Sequence, residues 1–331
     1  MDIARAAKII AAGGLVAFPT ETVYGLGADA FNPTALVKVF AVKRRPRFDP
    51  LIIHIADMRD LERVAALSAL TPEARHQAET LCQRLWPGPL TLILPKTPEV
   101  PDLATSGLPT AAIRFPAHPA AQALIRLSTR AIAAPSANLF GCLSPTTADH
   151  VREQLGNQVD MILDGGTADI GIESTVLDLT RGVPRILRPG GTPQERIEAI
   201  VGPVETAGFS ANAPASPGQL KSHYAPQTRL ILHDIISPPY SPSEGYLFFE
   251  GKSRDIWLKS QGMQKDAANP RIQTLSETGS LTEGAARLFS LLHELDNLGL
   301  SAIHAEQVPE QGLGRAINDR LYRGSQRIAD M

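Results

Sequence analysis

Residues 35–55 read Ala35-Leu36-Val37-Lys38-Val39-Phe40-Ala41-Val42-Lys43-Arg44-Arg45-Pro46-Arg47-Phe48-Asp49-Pro50-Leu51-Ile52-Ile53-His54-Ile55. The first eight carry a helical pattern. Residues 51–55 form a short apolar run behind a proline, the signature of a buried strand. Helix, basic turn and buried strand in succession are the repeating unit of an α/β fold. The alternation extends both ways. Strands are expected at 15–18, 51–55, 90–94, 111–115 and 131–134, and helices at 35–42, Pro72–Leu85, Pro119–Leu127 and 146–155. Pro72 and Pro119 suit first helical turns, where no amide donor is needed. Three further strands, at 161–163, 175–179 and 185–187, follow with no clear helix between them. That succession argues for a mixed sheet rather than a purely parallel, doubly wound one.

Apolar periodicity stops at 202–227, where small residues, Pro and Gly dominate. This stretch reads as an interdomain linker. The pattern restarts beyond it, with strands at 229–232, 245–249 and 301–305 and helices at 283–298 and 316–322. Ala285, Leu288, Leu292 and Leu295 share one helical face, and Gly299 closes that helix. The expected organisation is a domain at 1–201, a linker at 202–227 and a smaller α/β domain at 228–331. A plain spacer would not need Lys221, His223 and Tyr224 close together.

Composition narrows the function classes. The chain of 331 residues has 43% hydrophobic and 20% charged residues and a formal net charge of −2, ordinary for a globular protein. Basic and acidic residues number 20 and 20 over residues 1–200, and 12 and 14 beyond. Neither part attracts nucleic acid or anionic membrane by bulk charge. Two cysteines, Cys82 and Cys142, make neither a disulfide framework nor a four-cysteine zinc site. No signal peptide or membrane span is read, so a cytoplasmic protein is expected.

Lys43-Arg44-Arg45-Pro46-Arg47 places four cations in five residues at the edge of a sheet, where α/β proteins bind ligands. Phosphate is the anion such a cluster suits; a solvated basic turn is the plain alternative. Ala134-Pro135-Ser136-Ala137-Asn138 leaves a strand with small residues and two short hydrogen-bonding groups, and Ser144 or Thr146 is placed to cap the next helix. Arg114 stands inside an apolar strand and requires a partner, either an internal acid or a ligand carboxylate. His54, at a strand end, reads by default as a satisfied, half-buried histidine. The chain carries no Gly-x-x-x-x-Gly-Lys loop, no Gly-x-Gly-x-x-Gly fingerprint, no Gly-x-Ser-x-Gly elbow and no tight metal-ligand spacing. The residues therefore describe an anion-binding α/β protein without a nucleophile of its own.

In order along the chain, these segments resemble the YrdC-like threonylcarbamoyl-AMP synthase family in its long, two-domain form. The resemblance runs through residues 14–26, Lys43-Arg44-Arg45-Pro46, Pro50-Leu51-Ile52-Ile53-His54, Leu85-Trp86-Pro87-Gly88-Pro89-Leu90-Thr91, Ser136-Ala137-Asn138 with Ser144-Pro145-Thr146, Gly171-Ile172-Glu173-Ser174-Thr175 and Leu187-Arg188-Pro189-Gly190-Gly191. It continues in Ser216-Pro217-Gly218, His223-Tyr224-Ala225-Pro226 and Gly314-Arg315-Ala316-Ile317-Asn318-Asp319-Arg320-Leu321. It implies a twisted mixed YrdC-like sheet with flanking helices, followed by a smaller Rossmann-like α/β domain. The implied reaction joins L-threonine, bicarbonate and ATP into threonylcarbamoyl-AMP and pyrophosphate, with Mg²⁺. Separate transferase proteins then carry the threonylcarbamoyl group to tRNA. Threonine's amine is the nucleophile, so the enzyme need only position reactants and stabilise charge.

By the same resemblance Lys43, Arg45, Ser136 and Asn138 form a tetrad at the triphosphate. Mg²⁺ is expected mainly on the phosphates, near Ser136 and Asn138. Arg45, Thr110, Ser136, Ser144 and Arg188 match ATP-contacting positions. Thr22, His54, Arg114 and Ser174, with the backbone of Ala134, match threonine-contacting ones. Tyr224 matches a linker residue folding over the nucleotide as part of a lid. Two positions depart from the family. Arg44 stands where a glycine or another small residue is usual. Asp49 stands where an Asn often contacts the nucleotide, and its carboxylate repels phosphate unless Mg²⁺ or Arg47 meets it. Rival readings are a binder of double-stranded RNA or tRNA with weak contact, a catalytically silent paralogue, and a hydrogenase-maturation carbamoyltransferase. The last adds cysteine-rich zinc modules that two cysteines cannot supply.

Overall fold

The structure, a computed structural model, describes residues 1–46, 48–207, 223–264 and 269–326. Arg47, Ser216-Pro217-Gly218 and Lys221 lie outside the described residues. The first unit opens with α1 (Ile3–Ala11), β1 (Val16–Phe18), β2 (Gly25–Asp29), α2 (Pro33–Lys43), β3 (Ile52–Ile55) and α3 (Leu61–Val64). Next come α4 (Pro72–Leu85), β4 (Leu90–Pro95), α5 (Asp102–Thr105), β5 (Thr110–Arg114), α6 (Pro119–Leu127) and β6 (Ala131–Ala133). It closes with α7 (Ala148–Leu155), β7 (Met161–Ile162), β8 (Thr175–Asp178), β9 (Arg185–Arg188), α8 (Gln194–Val201) and β10 (Glu205–Thr206).

These ten strands form one sheet in the order β10-β9-β8-β4-β5-β3-β6-β2-β1-β7. The pairs β1/β7, β3/β5, β4/β8 and β9/β10 are parallel. The other pairs are antiparallel, so the sheet is mixed. Asn32 starts α2 by accepting the amides of Thr34 and Ala35 at 3.0 and 3.2 Å, ahead of Pro33. Neither Ser144 nor Thr146 caps the helix expected from 146. It begins at Ala148, and the Thr147 hydroxyl accepts the His150 amide at 3.2 Å. β2, which residue types did not announce, owes its place to glycine. A Cβ at Gly27 would stand 2.8 Å from the Phe18 ring and 2.9 Å from Ile132. Glu205–Thr206 pairs with Arg185–Ile186, so the sheet continues into the first residues of the expected linker.

The second unit runs β11 (Arg229–His233), β12 (Glu244–Glu250), α9 (Gly251–Ser260), β13 (Ile272–Ser276), α10 (Leu281–Asp296), β14 (Ala302–Glu306) and α11 (Gly314–Ser325). Its sheet, β11-β14-β12-β13, is parallel throughout. The parallel sheet with crossover helices is the smaller α/β domain expected from the sequence. α9 and β13 are additions. α10 buries Leu288, Leu292 and Leu295, each worth roughly 2 kcal/mol. Val23, Leu143 and Ile172 of the first unit join the apolar core of the second. At Gly171, φ is +74° and a Cβ would lie 2.5 Å from the carbonyl oxygen of Ala286, so only glycine admits this approach of α10. The second domain is thus packed onto the loops that carry Val23 and Glu173. Among the described residues no helix is long and apolar enough to cross a membrane.

Candidate functional site

Where β3, β5, β6 and β9 end, charged side chains converge on a narrow cavity. Thr22, Arg45, His54, Arg114, Ala134, Ser136, Ser174, Arg188 and Tyr224, all expected in the site, line it. Thr20, Glu173 and His223 line it as well. The free space is only about 40 Å³, room for a few waters. A larger cavity, about 360 Å³, lies between β9 and α11. None of the expected site residues lines it, and charged residues of its wall pair with each other, as in Arg323 with Asp319 at 2.9 Å. The convergence of three arginines, Arg45, Arg114 and Arg188, with a single carboxylate, Glu173, and not volume, marks the smaller cavity as the site.

One end is organised by Arg114, on the last residue of β5. Its guanidinium donates to Thr22 Oγ1 at 2.9 Å and to the Gly88 carbonyl at 3.3 Å. It meets the Glu21 carboxylate at 2.7 Å, an ionic contact without hydrogen-bond alignment. The internal acid that a buried Arg requires is therefore present, and Arg114 still faces the cavity. His54 donates from Nδ1 to the Ile52 carbonyl at 3.1 Å, because a carbonyl oxygen can only accept. Burial, with Arg114 beside it, pushes the His54 imidazole down to about 3, so it is neutral and Nε2 is left as an acceptor. Ser174 and Thr91 share a hydroxyl contact at 2.7 Å. Ala134 follows β6, its amide bonded to the Ile52 carbonyl at 2.9 Å.

The other end is cationic. Arg45 follows α2 and donates to the carbonyls of Asp49 and Pro50 at 3.1 and 2.9 Å. Asp49 is fully buried and meets the Arg45 guanidinium at 2.8 Å. Its partner is Arg45, and it does not line the cavity. Burial raises the Asp49 carboxyl, with Arg45 and Lys43 opposing. Lys43 also stands behind the cavity wall rather than in it. Its ammonium donates to the carbonyls of Ser136, at 2.6 Å, and Asn138. Burial, then Arg45, brings its pKa well below the usual lysine value. Asn138 is buried and donates to the carbonyls of Leu139 and Cys142 at 2.8 and 2.9 Å. Lys43 and Asn138 thus hold the turn that presents Ser136. Arg188 donates to the Ser174 carbonyl at 2.8 Å and to Ser174 Oγ at 3.1 Å.

Ser144 is set back from the cavity and donates to the Glu173 carboxylate. Thr110 is not brought to the site. It opens β5 opposite Pro95, four residues and about 13 Å along the strand from Arg114. His223 and Tyr224, beyond the undescribed linker residues, are buried against the cavity. Tyr224 takes a left-handed φ of +59°, its ring 4.9 Å from the Arg320 guanidinium. Burial foremost, with Arg45 and Lys43 adding, brings His223 well below the usual histidine value, so it is neutral. Residue types alone assign no roles to Glu21, Glu173 or Arg320. Glu21 and Glu173 sit one residue from Thr22 and Ser174, the nearest available signal. Arg320 meets Glu173 across 147 positions of sequence, and nothing local marks that.

Two family models cover the chain in succession. The one for Sua5, YciO and YrdC proteins, described as "Telomere recombination", matches residues 8–190. The one described as "Threonylcarbamoyl-AMP synthase, C-terminal domain" matches residues 192–325. The threonylcarbamoyl-AMP synthase of Pyrococcus abyssi is 43% identical over 97% of this chain and 93% of its own. The chain belongs to the two-domain threonylcarbamoyl-AMP synthase family. The Bacillus subtilis synthase is 42% identical over 98% of this chain and 93% of its own. A crystal structure of the P. abyssi protein, Sua5, complexed with L-threonine, matches with a TM-score of 0.83 and 40% identity, covering 98% of this chain and 94% of that one. Within the synthase family the Arg44 departure acquires a physical meaning. Arg44 ends α2 with φ of +52°, the left-handed conformation in which glycine is favoured. The described residues contain no group of three His, Cys, Asp or Glu side chains able to cage a metal. Ser136 is the neutral oxygen donor on the cationic wall. That set suits an ion arriving with phosphates and water, as Mg²⁺ does.

Proposed function

We propose that this chain condenses L-threonine, bicarbonate and ATP into threonylcarbamoyl-AMP, pyrophosphate and water. One observation carries the reading. Arg114, Thr22, His54 and Ser174 line the same cavity as Arg45, Ser136 and Arg188, with Arg188 donating to Ser174 at 3.1 Å, in a family of synthases matched along the whole chain. The two groups of side chains suit an amino acid carboxylate and a triphosphate.

The Arg114 guanidinium receives the threonine carboxylate as a fork. Neutral His54 and the hydroxyls of Thr22 and Ser174 accept from the ammonium or hydroxyl of the amino acid. The deprotonated amine attacks CO₂ or bicarbonate to form a carbamate. A carbamate oxygen then attacks the α-phosphorus, the bond from that phosphorus to the α,β-bridging oxygen breaks, and pyrophosphate leaves. Arg45 and Arg188 stabilise charge on the phosphates, and Lys43 keeps Ser136 in place beneath them. Mg²⁺ bound by the phosphates would add charge neutralisation, with Ser136 as its protein contact. Asn138 supports that turn rather than reaching the ion. The reaction is one of positioning and electrostatics, so no protein nucleophile is required. ATP is far larger than the space beside Tyr224, so Tyr224 yields its place when nucleotide enters. The product would pass to transferase proteins that modify tRNA.

The test is pyrophosphate release from ATP and Mg²⁺ with L-threonine and bicarbonate omitted in turn. Release that needs both is the expected result. Release that ignores threonine would overturn the reading.

A further inference from the structure

We propose that Arg320, in the C-terminal domain, is a positioning residue of the site, holding the Glu173 carboxylate away from the cavity cations and carrying the Tyr224 ring. The proposal rests on the synthase reading above and assigns part of the nucleotide site to the second domain.

Arg320 lies on α11, and its side chain is fully buried. Its Nε donates to Glu173 Oε2 at 2.7 Å. Its Nη1 donates to the Pro189 carbonyl at 2.9 Å and to Asp319 at 2.6 Å. The guanidinium stacks 4.9 Å from the Tyr224 ring centre. Glu173 and Tyr224 both line the cavity, so one cation of the second domain fixes a wall residue of the first domain and one of the linker. The other Glu173 oxygen accepts from Ser144.

The electrostatics give this contact a consequence for binding. Glu173 is an anion on a wall built for anions. Burial alone would raise its pKa, but Arg320 and Arg188, with the Ser144 bond, hold it below the usual carboxylate value. It is therefore charged at neutral pH. Arg320 and Ser144 engage both of its oxygens. Without Arg320, the nearest remaining cation acting on Glu173 is Arg188, on the nucleotide side of the cavity. A carboxylate turned onto Arg188 competes with phosphate for the same guanidinium. A buried ion pair is by itself weak support for stability. A role in ordering charge around the cavity explains its place on the wall.

The test compares wild type with Arg320→Met, Arg320→Lys, Glu173→Gln and the double variant. It reads ATP affinity by calorimetry in the presence of Mg²⁺, and KM for ATP against kcat for pyrophosphate release. Arg320→Met is expected to weaken ATP binding about tenfold or more, mostly in KM, and the double variant to recover to within about threefold of Glu173→Gln alone. Arg320→Lys keeps the charge without the fork and falls between. Should Arg320→Met fail to fold, Arg320→Lys and the double variant carry the comparison. The proposal is overturned if folded Arg320 variants bind ATP like wild type, or if removing Glu173 leaves the Arg320 defect unchanged. A wild-type chain that binds no ATP sinks the synthase reading and this proposal with it. A wild type that binds ATP while Arg320→Met matches it sinks this proposal alone.

Discussion

Arg114 and Glu21 meet at 2.7 Å, both buried, with Arg114 on the cavity wall. Glu21 supplies the countercharge that lets Arg114 exist in an apolar strand, while Thr22 and Gly88 fix the plane of the guanidinium. A ligand carboxylate then arrives at a donor that is already oriented. That arrangement reduces the ordering cost of binding.

Arg114→Gln should therefore raise KM for threonine at least about a hundredfold, and Arg114→Lys should fall between it and wild type, because a point charge cannot replace the fork. Titrating threonine in the pyrophosphate assay checks this. A KM unchanged in both variants would remove Arg114 from the amino acid end.

Arg45→Ala and Lys43→Ala should each abolish most pyrophosphate release and each lower the unfolding midpoint. Arg45→Ala leaves the buried Asp49 carboxylate without its countercharge and two carbonyls without their donor, a cost of roughly 3 kcal/mol. Lys43→Ala strips two carbonyls of their donor, at a cost of roughly 2 kcal/mol. Urea titrations beside the activity assay measure both. Near-wild-type turnover in both variants would sink the phosphate assignment.

Asp49→Asn should keep or improve ATP affinity, since it removes an anion beside Arg45 and leaves the backbone carbonyls that Arg45 uses. It should also cost roughly 3 kcal/mol of stability, because a buried guanidinium loses its countercharge. A tenfold loss of affinity in calorimetry would show a direct role for the carboxylate.

Arg44→Gly should stabilise the protein by about 1 kcal/mol. The side chain now pays a left-handed backbone penalty at the end of α2 that glycine does not. Denaturant midpoints of the two proteins check it, and a lower midpoint for the glycine variant would show that the Arg44 side chain outweighs the strain.

Acid should destabilise the fold through its neutral histidines. His54 is held down to about 3 by burial and Arg114, and His150 to about 4 by burial and His293. Unfolded histidine binds a proton near pH 6.5, so below that pH the unfolded state takes up protons that the folded state refuses. Stability present above pH 6.5 is lost as pH falls toward 4 and then 3, at up to about 1.4 kcal/mol per pH unit for each histidine. Chemical unfolding from pH 7 to 4 measures the slope. Replacing His150 with Gln should flatten it, and an unchanged slope would remove His150 from the account.

Periodicity made most of the sheet legible. α4 and α6 run Pro72–Leu85 and Pro119–Leu127, the ranges expected, because each begins on a proline behind a capping residue. β2 was not legible, because Gly25 and Gly27 serve a close approach to Phe18, and strand propensity says nothing of that. Thr110 and Arg114 lie on one strand, and only its length shows that they occupy opposite ends.

The sequence by itself determined an α/β chain in two parts, a basic turn after a helix, and a lone arginine in a buried strand. Short-range periodicity, capping and turn chemistry carry that information, since each depends on residues a few positions apart. Only the tertiary structure decided that Lys43 supports a turn, that Asp49 answers Arg45, that Glu21 answers Arg114, and that Arg320 reaches Glu173 from the other domain. Those choices follow from buried charge. A cation removed from water takes whichever anion or carbonyl the packed chain brings within about 3 Å, and that partner's distance in sequence carries no energy.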